Sequence, residues 1–535
     1  MWTGCVRPGF WRLRTQIDTK RKGTHKRRMR EDMLKSVLDY LEQSETAYPD
    51  KVAVVDTKGS DTYAELADKA RRVGTFLYKK GLHFNDVVVV LLGKERSALS
   101  AFWGASYAGA VYAPMDCHAP VSRLQLIMEV LRPACVLTDE ENREKALELM
   151  PPEKVFLLTD ACVVEPDRER LEAIQKQRID TDPVYIICTS GSTGVPKGVV
   201  INHRAVIDFT EEASEAMEFS EREVFANQAP FYFDASVPDL YCTIRNGASL
   251  HIIPEKWFSF PIRVLEYIKE NCVNAIFWVP SALVVTANLR ALREVDVTCL
   301  KKIMFCGEVM PVKQYNMWKK YVPDAKYVNY YGPSETTYAS TYYVIDREFR
   351  DEDALPIGHA ALNTDVLILN EKDRLCAPGE TGELCIRGSG VSLGYYNNPE
   401  KTKEVFVQNP LTPFYRDIMY RTGDLVKKND RGEIEYVGRK DFQIKHMGYR
   451  IELGEIETAA ASADGVERTC CIYHEKKQII VLLYQGNTDA DNIKAWLKSK
   501  LPEYMLPGSV VKLEQMPMNA NGKIDRKLLK ERFGK

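Results

Sequence analysis

Val184-Tyr185-Ile186-Ile187-Cys188, running directly into Thr189-Ser190-Gly191-Ser192-Thr193-Gly194-Val195-Pro196-Lys197-Gly198, decides how this 535-residue chain is read. The first five residues form a short β-branched-rich apolar run, the pattern of a strand buried on both faces. The glycines after it let the backbone turn tightly, so that its N–H groups can point at an anion. Four hydroxyls, on Thr189, Ser190, Ser192 and Thr193, add donors, and Lys197 adds a positive charge. A Gly/Ser surface turn would explain the glycines alone; launch from a buried strand and the density of hydroxyls favour phosphate binding. The loop is not of the Walker A type, because Lys197 is followed by Gly198 and not preceded by glycine.

Working outward, Phe84–Leu92, Ala134–Thr138 and Val155–Thr159 are further strand-like runs, with amphipathic stretches such as Tyr63–Lys80 and Ser122–Leu131 between them. This alternation predicts an α/β protein, a large N-terminal domain of mainly parallel sheets flanked by helices. The pattern changes near Gly438–Asp441. Gly432–Val437 reads as a hairpin strand, Gly448–Ala461 as the start of a new amphipathic helix and Gln478–Leu483 as another strand. The expected organisation is therefore residues 31–438 as the large domain and 439–535 as a small, mobile α+β lid, with the active site in the cleft between them.

Bulk composition excludes several classes. With 45% hydrophobic residues, 28% charged residues and a net charge of −2, nothing points to nucleic acid or a membrane as partner. No apolar run has the length to span a bilayer. The 13 cysteines are scattered without CxxC or paired Cys/His spacing, which fits a reducing cytoplasm better than a disulfide framework or zinc site. Residues 1–30 stand apart, with ten Lys/Arg against the single acid Asp18, and are expected to be a disordered basic extension or to precede a true start at Met29.

Taken with motifs on either side of it, the loop resembles the signature of the adenylate-forming (ANL) superfamily: acyl-CoA synthetases, luciferases and the adenylation domains of non-ribosomal peptide synthetases. The resemblance runs from about Tyr63 to Arg526. It is carried in order by Tyr63-Ala64-Glu65-Leu66, Tyr107–Asp116, Tyr331-Gly332-Pro333-Ser334-Glu335-Thr336-Thr337 and Gly382–Tyr396. Tyr420-Arg421-Thr422-Gly423-Asp424, Gly438–Glu457 and Asn521-Gly522-Lys523-Ile524-Asp525 complete the set. The fold it implies is the acyl-CoA synthetase-like one, a large domain with a small rotating lid. The reaction it implies is attack of a carboxylate on the α-phosphorus of ATP with release of pyrophosphate, aided by Mg2+. Both reactants are anions, so positioning and positive charge matter more than acid–base chemistry.

By resemblance, Glu335 is the magnesium-associated carboxylate, Ser334 contacts the α-phosphate, and Gly332 and Thr336 belong to the same nucleotide motif. Tyr331 is the platform for adenine beside the Gly307 backbone. Asp424 holds the ribose hydroxyls, a cis-diol that one carboxylate can grip with two acceptors, and Arg439 assists ribose or phosphate. Lys523 is expected to bridge the substrate carboxylate and the phosphates in the first half-reaction. Asp441 is the expected hinge, and Lys445 with the Gly448 segment would line the thiol tunnel after the lid rotates.

Phe233-Asp234-Ala235-Ser236 resembles the amino-acid-activating branch, in which the aspartate pairs with the substrate ammonium; a buried carboxylate is costly unless paired. Asp234 could instead cap the next helix. The rest of the pocket is expected from Ala235, Pro238, Trp278, Met304, Cys306, Tyr330, Tyr338 and Ala339, which leaves little space for a side chain. Phe305–Val309 and Val237–Tyr241 are closest to D-alanine–D-alanyl carrier protein ligase, with Cys306 as a chirality-reading wall, although Trp278, Tyr330 and Tyr338 stand where smaller residues are expected. D-alanine is the leading substrate, slightly ahead of glycine, L-alanine, serine or a non-standard small amino acid. The chain ends twelve residues after Lys523 without a carrier pattern, so the expected acceptor is the phosphopantetheine thiol of a separate carrier protein. Rival readings are an acyl- or aryl-CoA ligase, which would not need Asp234, and a catalytically silent nucleotide-binding scaffold.

Overall fold

The computed structural model describes residues 34–191, 194–518 and 524–534. The basic segment 1–30 lies outside the described residues. Two α/β sheets dominate. The first has strand order Val155–Leu157, Cys135–Thr138, Val87–Leu91, Val111–Pro114, Pro183–Thr189 and Lys197–Asn202. It is parallel except at its last pair. Every residue of Val87–Leu91 is buried, as expected for a strand covered on both faces. Helix Tyr63–Lys79 begins at a capping box, Thr62 accepting from the Glu65 N–H while Glu65 accepts from the Thr62 N–H.

The second sheet runs from the antiparallel edge His359–Ala360 and Thr341–Val344 through Lys326–Tyr331, Lys302–Phe305, Ala275–Trp278, Val224–Asn227, Ser249–Ile252 and Val52–Asp56 to Gly59–Thr62. Its inner strands are parallel and both faces are covered, so side-chain parity decides what each residue does. Ile276, Trp278, Ile303, Phe305 and Tyr327 share one core with helices Pro261–Glu270, Pro280–Asn288 and Val312–Tyr321. Phe277, Met304, Cys306 and Tyr330 have the opposite parity.

An antiparallel sheet of Thr364–Leu369, Gly382–Gly388, Ile418–Lys428, Phe406–Gln408 and Ile434–Arg439 comes next. Beyond it the chain forms the hairpin Gln443–His446/Tyr449–Glu452 and a small unit. That unit contains helix Leu453–Ala461 and the three strands Val466–His474, Ile479–Gly486 and Ser509–Lys512. The helix expected to begin at Gly448 therefore begins at Leu453. His446 pairs with Tyr449 across Met447 (φ 53°) and Gly448 (φ 84°), the two left-handed positions of a type I′ hairpin turn. From Lys35 onward the described chain is one compact unit, with this C-terminal part packed on the large domain.

Candidate active site

The loop after Pro183–Thr189 returns into an antiparallel strand, with Thr189 opposite Lys197. Glycine is obligatory at Gly191, where a Cβ would lie 1.9 Å from the Val195 carbonyl oxygen. Ser192 and Thr193 lie outside the described residues. Ser190 Oγ donates to the Arg450 carbonyl (2.8 Å) and accepts from the Glu452 N–H (3.2 Å). Lys197 is buried with its Nζ 3.6 Å from Glu452 Oε1. Burial, and then Arg450, pull its pKa below the usual lysine value, against the opposing pull of Glu335 and Glu452.

Strand Lys326–Tyr331 ends in the short turn Ser334–Thr336, which places Glu335 in the interior with none of its surface exposed. Its carboxylate receives Arg450 Nη1 at 2.6 Å and the Tyr395 hydroxyl at 2.7 Å. Burial alone would raise its pKa; Arg450 first, then Lys197 and the Tyr395 hydrogen bond, bring it down to about 2, so the group is ionised at all physiological pH. On the other side of the cleft Asp424 is buried between Arg439 Nη1 (2.6 Å) and the Tyr331 hydroxyl, which donates to its second oxygen. Arg439 also clamps Asp441 through two bonds of 2.6 and 2.7 Å. The Lys445 ammonium stands 5.4 Å over the Tyr331 ring. Glu335, Tyr331, Asp424, Arg439, Lys445 and Lys197 are thus gathered along one cleft.

The chain belongs to the AMP-binding enzyme family. Residues 41–396 match the model described as AMP-binding enzyme, and residues 455–523 match its C-terminal domain. Zwittermicin A synthase ZmaJ of Bacillus cereus is 34% identical over 504 residues, covering 91% of this chain and 93% of that protein. Bacitracin synthase 1 of Bacillus licheniformis is 33% identical over 93% of this chain, of which this chain spans 9%. Among solved structures, the Vibrio cholerae adenylation domain AlmE in complex with glycyl-adenosine-5'-phosphate shares the fold at a TM-score of 0.80 and 21% identity, covering 95% of this chain and 99% of that one. The protein is an adenylate-forming ligase of the kind found in non-ribosomal peptide synthetases, a class of enzyme that uses ATP.

In this AMP-binding enzyme Asp234 accepts a hydrogen bond from Ser334. Enclosure pushes the Asp234 pKa up; Ser334, Lys445 and Arg450 oppose the rise. It does not cap a helix: neither the turn Asp234–Ser236 nor helix Val237–Asn246 has a side-chain cap bond. Ala235 and the buried Pro238 lie on the same segment. Met304 and Cys306 are buried on the same side of the sheet as Phe277, with Cys306 Sγ 3.8 Å from the Tyr338 carbonyl. Thr337 and Tyr338 both adopt left-handed backbone (φ 57° and 68°), a costly conformation for non-glycine residues that swings Tyr338 inward, next to Ala339.

One expected pocket residue is corrected. Trp278 faces the other way: its indole N–H donates to the Ala226 carbonyl at 3.0 Å and its ring packs at 5.2 Å against Phe258 in the opposite core. Because successive strand residues point to opposite faces, the inward residue is Phe277, 6.1 Å from Tyr330 and 6.4 Å from Tyr338. Phe209 joins these rings from helix His203–Ala216, at 6.5 Å from Tyr330 and 5.4 Å from Tyr338.

Lys523 lies outside the described residues; its neighbours Met518 and Ile524 pair with each other on the small unit. Arg450, Tyr395 and Glu308 are site residues that sequence reading missed. Glu308 accepts from the Gly448 N–H (2.8 Å) and the Ser281 N–H (2.9 Å), pinning the hairpin tip to the large domain. A Cβ at Gly448 would meet Val279 at 2.8 Å. For Mg2+, Glu335 supplies one ionised carboxylate beside a hydroxyl-rich loop. That donor set fits an ion held mainly by phosphate oxygens, and the described residues contain no cluster of three or more His, Cys, Asp or Glu that would form an all-protein cage.

Proposed function

We propose that the protein activates a small amino acid, with D-alanine as the leading substrate, as aminoacyl-AMP and passes it to the phosphopantetheine thiol of a separate carrier protein in the cytoplasm. The observation that carries the reading is Asp234, a half-buried carboxyl hydrogen-bonded to Ser334 that acts as no helix cap and is free to pair with a cationic ligand group. A substrate ammonium supplies that charge. Beyond it, the rings of Phe209, Phe277, Tyr330 and Tyr338 lean on one another edge to face or tilted near Cys306, an arrangement that favours a small substrate side chain. No described helix is long and apolar enough to cross a membrane.

In the first half-reaction Asp234 orients the substrate through its ammonium, Ser334 and Lys197 face the phosphates, Asp424 and Arg439 hold the ribose, and Tyr331 bears the adenine. Lys523 neutralises the charge that develops between the attacking carboxylate and the α-phosphate. Magnesium, held by Glu335, supplies further neutralisation of the phosphates when bound. Asp441 then acts as the hinge about which the lid turns, and Lys445 with the Gly448 segment would line the thiol path once it has turned.

The test is incubation with ATP, Mg2+ and D-alanine, L-alanine or glycine, with a phosphopantetheinylated carrier or coenzyme A as acceptor, read by mass spectrometry. A carrier heavier by one aminoacyl group supports the proposal. Thioester formed on coenzyme A from simple acids, with none from any amino acid, overturns it.

A further inference from the structure

The phosphate loop is covered by acids of the small unit. Gly191 N–H donates to Glu455 Oε2 at 3.3 Å, Lys197 Nζ lies 3.6 Å from Glu452 Oε1, and Arg123 pairs with the other Glu455 oxygen. Ser190 is tied to the backbone on either side of Ile451. Lys197, Arg123, Glu452 and Glu455 are all buried, each less than a tenth exposed. The same segment sends Arg450 to Glu335. Residues Arg450–Glu455 therefore set carboxylates against the groups that would face phosphate and a cation against the carboxylate that would face magnesium, which is the charge pattern of a magnesium–phosphate ligand in reverse.

We infer that Glu452 and Glu455 are positioning residues that take the place of pyrophosphate on the loop, so that this lid orientation and bound pyrophosphate exclude one another. The inference rests on the proposed use of the loop for the ATP phosphates. It makes pyrophosphate, the product of the first half-reaction, an inhibitor of the second: the lid seats only after pyrophosphate has left, and returning pyrophosphate lifts it. The seating is reversible by construction. Burial raises the Glu455 carboxyl pKa, while Arg123 and the Gly191 N–H pull it down, leaving it at about 7, so desolvation offsets most of what the buried pair with Arg123 contributes.

Two measurements test this. Backbone hydrogen–deuterium exchange of the substrate-free protein is monitored over Tyr449–Glu457, with inorganic pyrophosphate and, as a weaker-binding control, inorganic phosphate. Pyrophosphate is expected to speed exchange at Glu452 and its neighbours several-fold; no change would overturn the inference. This arm needs no amino acid, so silence of every amino acid in an activation assay would sink the proposed function and leave this result standing. The second compares Glu452→Gln and Glu455→Gln with the parent enzyme. Carrier loading is expected to fall about tenfold while the KM for pyrophosphate in exchange falls several-fold, a gain that general destabilisation would not produce. Parallel loss of both activities, or loading indifferent to both substitutions, would overturn it.

Discussion

Replacing Phe277 by alanine opens the substrate pocket. Phe277 is 1% exposed and its ring meets Phe219 at 6.0 Å, Phe225 at 6.3 Å, Tyr330 at 6.1 Å and Tyr338 at 6.4 Å, so its removal opens a void beside Tyr330 and Tyr338. Truncating a buried phenylalanine costs about 3–5 kcal/mol of stability, which thermal unfolding would register. The same void accepts a larger substrate. Leucine carries three more carbons than alanine, and at about 0.8 kcal/mol per buried methylene they contribute up to about 2.4 kcal/mol, roughly a 50-fold rise in the leucine-to-alanine ratio of kcat/KM. Pyrophosphate exchange with the two amino acids measures that ratio. Trp278→Phe, on the opposite face, is the matched control and is expected to leave the ratio within two- to three-fold of the parent. A folded Phe277→Ala enzyme with an unchanged ratio, or a Trp278→Phe enzyme with a shifted one, would refute the placement of the pocket.

Arg450→Met leaves Glu335 buried without its ion-pair partner in the seated lid, held only by the Tyr395 hydroxyl and the more distant Lys197 charge. Breaking such a pair costs about 3–5 kcal/mol, so carrier loading is expected to fall by a factor on the order of 100 or more while pyrophosphate exchange changes only a few-fold. Equal losses in the two assays would contradict the assignment. Asp234→Asn keeps the shape of the carboxyl but not its charge, and amino-acid-dependent exchange should become undetectable with nucleotide binding, read by calorimetry, intact. Lys523→Ala should lower exchange on the order of 10²–10³-fold, the usual effect of losing one preorganised contact to developing charge, without weakening ATP binding; a normal rate would remove Lys523 from the first half-reaction.

The α/β architecture is legible in the sequence because strands such as Val87–Leu91 and Val184–Cys188 are uninterrupted apolar runs, which is what burial on both faces demands. That same property hides the pocket register. In Ala275-Ile276-Phe277-Trp278 every residue is apolar, so no alternation marks which side faces inward; only pairing with Lys302–Phe305 fixes the parity that places Phe277 beside Tyr330 and Trp278 in the far core. The Tyr449–Glu452 strand merges with helix Leu453–Ala461 in a periodicity reading, and only its pairing with Gln443–His446 across the Met447-Gly448 turn marks it as a strand. Glu335, Tyr331 and Asp424 are found from motifs, and the structure brings them to one cleft. Arg450 and Glu455 escape because their partners are 115 and 264 residues away, and nothing local in the sequence distinguishes an arginine or glutamate that crosses to another domain from one in solvent.

The most direct measurement is substrate-dependent ATP–pyrophosphate exchange across glycine, both enantiomers of alanine and of serine, and simple carboxylic acids of the same size. Strong exchange with one of the small amino acids, D-alanine foremost, and none with the acids that lack an α-ammonium, is the predicted result. Exchange with a simple acid and with no amino acid would contradict the role given to Asp234 and place the enzyme among the acyl-CoA ligases.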